Sequence, residues 1–156
     1  MCFECDNPEF SCADYLDTVI TPLVHRNGWA VQGVEGRHPL AYTVGLTDRG
    51  LPELVVTGLR AGPAASLLND VARQVLQQDV TPGQRLSSAQ WELQVLAVEH
   101  PQEHLLTATA LYGDEVRGMQ LVWPDDRGRY PWQAGHRSQR GGQRLLGRSP
   151  ARDQAP

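Results

Sequence analysis

Lysine is missing from this chain of 156 residues; all 14 of its basic side chains are arginine. Without lysine the Walker phosphate-binding motif is excluded outright, and no dinucleotide fingerprint or Ser/His/Asp order takes its place. Cysteine is missing after residue 12. Three thiols, with no basic-then-apolar leader after Met1, argue for a reducing cytoplasm and against a disulfide framework. Apolar runs are only a few residues long, far short of the roughly 20 that a membrane helix needs, so no membrane partner is expected. Aromatic residues are scarce, which makes three of them between residues 123 and 132 conspicuous.

What is present divides by charge. Residues 1–132 hold nine arginines against seventeen acidic residues, whereas residues 133–156 hold five arginines against Asp153 alone. An acidic body should repel nucleic acid phosphates. The tail, "QAGHRSQRGGQRLLGRSPARDQAP", has too little apolar content to build a core and reads as disordered, its RGG stretch offering at most weak contact with RNA. Three parts are expected: a cysteine-containing segment and helix over 1–27, an α+β body over 28–132, and a disordered basic tail over 133–156.

Ser11 with Asp14 three residues on resembles a capping box. Leu16, Val19, Ile20, Leu23 and Val24 then recur at helical spacing, and Asn27-Gly28 is a natural stop. Pro22 should kink this helix or restart it. "GWAVQGV", "LAYTVGL" and "ELVVTGL" read as strands, the last two as a hairpin, with Leu40, Tyr42, Val44 and Leu46 alternating onto one face. From Gly62-Pro63 a helix carries an unbroken stripe of Ala64, Leu67, Leu68, Val71, Ala72, Val75 and Leu76. "WELQVLAVE" is a further strand, residues 101–113 favour helix, and "MQLVW" is a last strand. The order predicts a single α+β domain with a mostly antiparallel sheet of about five strands, covered by two or three helices.

"GWAVQGVEGRHPLAYTVGLTDRGLPELVVTGL", "LLNDVA" and "QLVWPDDRGRYPW", in this order, resemble the bacterial family called domain of unknown function 4262. The N-terminal cysteine pair is also similar to members of that family. The likeness covers roughly residues 2–132 and leaves the basic tail outside. It implies a small cytoplasmic bacterial protein and assigns no catalytic residue.

Two patches could carry chemistry. Cys2 and Cys5 form a C-x2-C pair, half of a zinc knuckle, and Cys12 in the first turn of a helix would have its thiolate favoured by the helix dipole. Zinc would need a fourth ligand. His25 is about 20 Å away along an intact helix, so His38, His100, His104, Asp6 or water would have to serve. Alternatively, loss of Met1 would leave Cys2 as an N-terminal nucleophile. His100 and His104 share the i, i+4 spacing of metal ligands, but Pro101 pushes His100 out of the helix. The second patch is "QLVWPDDRGRYPW", where Trp123, Tyr130 and Trp132 stand beside Asp125, Asp126, Arg127 and Arg129. Ring faces next to fixed charges suit a ligand or protein partner, and His38, Tyr42 and Glu53 could line the same cleft. Adjacent aspartates also make turns, and the tryptophans could equally lock a structural loop. The first reading is a ligand- or partner-binding, regulatory module; the alternative is a hydrolase, metal-assisted or using Cys2.

Overall fold

The computed structural model of the chain describes residues 11–137 and 142–150. Helix α1 (Cys12–Tyr15) opens on the expected capping box: Asp14 N–H donates to Ser11 Oγ, and Ser11 N–H donates to the Asp14 carboxylate at 3.0 Å. Leu16–Ile20 is one wide π turn, in which Thr21 N–H reaches back to Leu16 O. Helix α2 (Thr21–Asn27) follows with Pro22 in its first turn. The wide turn answers the Pro22 problem, giving the ring room without ending the helical run. Gly28, at φ 91°, closes α2 with its N–H on Val24 O.

Six strands form one sheet: β1 (Ala30–Val34), β2 (Leu40–Val44), β3 (Glu53–Thr57), β4 (Arg85–Ser87), β5 (Glu92–Ala97) and β6 (Gly118–Val122), in the order β1-β2-β3-β6-β5-β4. Four neighbour pairings are antiparallel and β3–β6 is parallel, with Val55 level with Gln120. The class is α+β, as the element order predicts. The additional strand is β4, three residues of which only Leu86 is buried, too short for any alternation to show.

The parallel pair needs a crossover, and helix α3 (Ala61–Val75) begins it. Its stripe of Ala64, Leu67, Leu68, Val71, Ala72 and Val75 is buried against Ala41, Leu54, Val56, Val95, Met119 and Leu121. The other face carries Tyr42, Val44 and Val55 and is covered by Ile20 and Val24 of the N-terminal helical run and by Leu105 and Ala108. Cover on both sides explains why every residue of β3 and β6 is buried. Leu46 differs from the alternation expected of it. The strand ends at Val44, the chain enters a 3-10 turn (Leu46–Arg49), and Leu46 joins the α3 side.

Residues 101–113 are two short helices, α4 (Pro101–His104) and α5 (Leu106–Tyr112), broken at Leu105. His100 precedes α4 at φ 52°, outside helical geometry. The stretch 142–148 contrasts with the disordered tail expected there. It lies along the sheet, with Leu146 buried and Arg144 O accepting from the Thr57 hydroxyl at 2.7 Å. Two leucines and a set of side-chain amides supply contacts that the low apolar content of the tail concealed.

Candidate functional site

The loop after β6 is held from within. Trp123 is buried on the α3 side, its indole N–H donates to Thr57 O at 3.0 Å, and its ring stacks on Trp91 with centroids 5.7 Å apart. Tyr130 is also buried; its hydroxyl donates to Glu92 O at 2.7 Å and its ring stacks on Trp132 at 5.4 Å. Asp125 accepts N–H bonds from Arg127, Arg129 and Arg137, each at 2.9 Å. Those backbone donors, Arg137 and Arg129 foremost, hold its carboxyl down at about pKa 2. The "PDDRGR" stretch is thus an Asx-type turn around one carboxylate. Asp125, Asp126, Arg127 and Arg137 together line a cavity of only about 100 Å3.

Tyr42, Glu53 and His38 do not join this loop in one cleft. Tyr42 is buried on the other face, where its hydroxyl accepts the N–H of Thr107 at 2.9 Å. His38 is exposed in the β1–β2 connection. Glu53 sits at the start of β3 and gathers the β2–β3 turn. Its carboxylate accepts from the Thr43 hydroxyl, from the N–H groups of Gly45, Leu46 and Thr47, and from the Thr47 hydroxyl. Burial pushes this carboxyl above its ordinary range, and the Thr47, Thr43 and Gly45 donors pull against it.

Cys12 is exposed in the first turn of α1, and Cys2 and Cys5 lie outside the described residues. Among the described residues no three His, Cys, Asp or Glu side chains group as a metal site. No helix among them is long and apolar enough to cross a membrane.

A much wider concavity than the one at Asp125 lies at the carboxyl end of β3. A groove of about 670 Å3 is walled by the β1–β2 connection, by Gly58, Leu59 and Arg60, by the first turn of α3, and by Trp91. Trp91 is a fixed wall. Its ring rests on Trp123, and its backbone N–H and C=O both bond to Ser88 in the β4–β5 turn, which is tied to α3 through Ala89 N–H on Asp70. Arg60 is the N-cap of α3 and its side chain makes no capping bond. The N–H groups of Ala61 and Gly62 therefore have no intrahelical acceptor, and Pro63 has no N–H. Val34, 45% exposed, adds an apolar edge, and Glu35 adds a negative charge at the β1–β2 connection.

A family model matches residues 23–137, and its description is a domain of unknown function, DUF4262. The chain belongs to the DUF4262 family. No curated protein and no solved structure matches it. The DUF4262 match takes in the groove, Glu53 and the Asp125 turn, whereas all three cysteines and the stretch 142–148 fall outside it.

Arg60 and Trp91 were not singled out by the sequence. The groove is assembled from three separated segments, and neither residue stands in a motif. The one available signal was Gly62-Pro63, which marks a helix start without a side-chain cap and hence free N–H groups.

Proposed function

We propose that this DUF4262 protein is a binding module that takes a small, mainly apolar ligand with an anionic end in the groove at the carboxyl end of β3. One observation carries this reading: a preformed groove that joins an apolar wall to a guanidinium and an uncapped helix start. Such a combination of broad apolar contact and a few orienting polar groups is what small-molecule sites require. The first turn of α3 favours negative charge, and Trp91 offers a ring face. Binding fits better than hydrolysis because Glu53, Asp125 and Tyr42 are each occupied in holding backbone.

Titration of the labelled protein with naphthalene-2-sulfonate, followed by amide NMR, tests it. Shifts should concentrate at Gly58–Gly62 and Trp91, and Arg60→Glu should weaken them about tenfold or more, on the order of 1.4 kcal/mol. Shifts scattered over the surface, or unaffected by Arg60→Glu, would sink the assignment. The cysteine clip has its own test. Stoichiometric zinc in protein purified without an affinity tag, abolished by Cys12→Ser, would establish a metal site at the amino end.

A further inference from the structure

Gln120 is at odds with its place in the fold. It sits in the middle of β6, fully buried, where the sequence around it is Met119, Leu121 and Val122. A buried amide is costly unless both of its ends are bonded. Within residues 23–137 it bonds to the Thr57 hydroxyl, from Nε2 at 3.2 Å. The remainder comes from the stretch beyond the family boundary: Nε2 donates to Arg144 O at 2.8 Å, and Oε1 accepts Leu146 N–H at 2.8 Å. A carboxamide fixes a donor and an acceptor side by side, and here it reads the C=O of one residue and the N–H two residues later.

Neighbouring groups read the same stretch. Thr57 Oγ1 donates to Arg144 O at 2.7 Å, and Glu99 N–H donates to Leu146 O at 2.8 Å. Gln143 pairs its own amide with the N–H and C=O of Trp123, at 3.0 and 2.9 Å. Two glycines let backbone meet backbone. A Cβ on Gly58 would lie 2.6 Å from Gly142 O, and one on Gly147 would lie 1.9 Å from Ala97 O. Leu146 is the single fully seated side chain of the stretch, beside Val55, Val98 and Leu105, and Arg148 meets Glu99 at 3.2 Å.

We propose that residues 142–148 are a displaceable occupant, held in cis, of a backbone-reading peptide groove formed by Thr57, Glu99, Gln120 and Trp123. The partner in trans is a short peptide that presents a leucine with arginines two residues before and two residues after it. Reading by main-chain bonds with one side-chain anchor is how extended peptides are recognised at sheet surfaces. Charge favours such a partner: residues 1–132 hold nine arginines against seventeen acidic residues. Linkage in cis sets an effective concentration on the order of millimolar, so an incoming peptide competes against the chain's own segment. This site adjoins the small-ligand groove at Gly58 and, through the Trp91–Trp123 stack, at Trp123, but it makes no use of Arg60 or of the first turn of α3.

Gly147→Val tests the proposal on the full chain, because the added side chain meets the Ala97 carbonyl while the body is untouched. The probe is a fluorescent peptide with the sequence of residues 142–150, followed by anisotropy. It should bind Gly147→Val at least about tenfold tighter than the unaltered protein, and Gln120→Leu added to Gly147→Val should abolish binding. Absence of binding to a Gly147→Val chain that still melts cooperatively would overturn the proposal, as would binding that survives Gln120→Leu. A Gly147→Val chain that cannot fold would show the stretch to be an obligate part of the domain, which also overturns it. Hydrogen exchange on the unaltered protein gives an independent reading. The Glu99 and Leu146 amides should exchange together, roughly 100-fold faster than the amides of β3 and β6. Exchange of all of them at one rate contradicts a displaceable segment.

Discussion

The two faces of the sheet are held by different means. On one, a single helix lays six apolar side chains over the strands. On the other face and at the strand ends, individual polar side chains hold particular stretches of backbone. Glu53 gathers Gly45, Leu46 and Thr47; Tyr42 takes Thr107; Gln120 takes residues 144 and 146; Asp125 gathers Arg127, Arg129 and Arg137. Apolar area is non-directional and stabilises the whole, whereas hydrogen bonds to named backbone groups fix local shape. Damage on the first face should therefore be global, and damage on the second should be local or graded.

Leu68→Asp is the strongest attack on that contrast. Leu68 is fully buried at the centre of the α3 seam, and a carboxylate there has no partner. A loss of at least about 4 kcal/mol is expected, enough to abolish the cooperative thermal transition of a domain this size. An unaltered melting temperature would mean that α3 does not cover the sheet.

Glu53→Gln should cost less, about 2–4 kcal/mol, measured by urea unfolding. The amide keeps the shape of the carboxylate but turns an NH2 group toward donors that both oxygens now satisfy. Since α3 is untouched, the variant should still fold, with the loss expressed first as faster amide exchange at Gly45, Leu46 and Thr47. A midpoint unchanged in urea would show that the buried carboxylate is dispensable to the turn, and the distinction between the two faces would blur.

The same contrast governs what could be read from sequence. The α3 stripe was legible because helical periodicity reports burial directly, and β1, β2, β3, β5 and β6 were legible as apolar runs bounded by turn residues. Polar specification leaves no such period. Glu53 stood out as a cleft candidate, yet nothing in "PELVV" says that its carboxylate turns toward Gly45 and Thr47. Gln120 passed unremarked inside "MQLVW", because its partners lie 24 and 26 residues later in a stretch whose composition resembled a solvated tail. The aromatics of "WPDDRGRYPW" were visible, but sequence shows a ring and not the direction it faces. Trp123 and Tyr130 face inward, onto Thr57 and Glu92. The groove was hidden for a further reason: Val34, Arg60 and Trp91 become neighbours only once β1, β3 and the β4–β5 turn are assembled.

The mildest test falls on the Asp125 turn. In an unfolded chain an aspartate titrates near pKa 3.9, and in the folded loop three N–H donors lower this carboxyl to about 2. A depressed folded value means that the unfolded state takes up the proton first. The contribution of this group is therefore complete above pH ~4 and declines as pH falls toward 2. Because the donors are backbone groups of one loop, the change should appear locally, as shifts of the Arg127, Arg129 and Arg137 amides with a midpoint near pH 2, while the amides of β3 stay still. Asp125→Asn should remove that titration and loosen Trp132 from Tyr130 without moving the thermal midpoint far. A midpoint near pH 4 would mean that the carboxylate is not held by those donors. Loss of β3 signals in step with the loop would mean instead that the turn is wired into the core, and that the two modes of stabilisation are one.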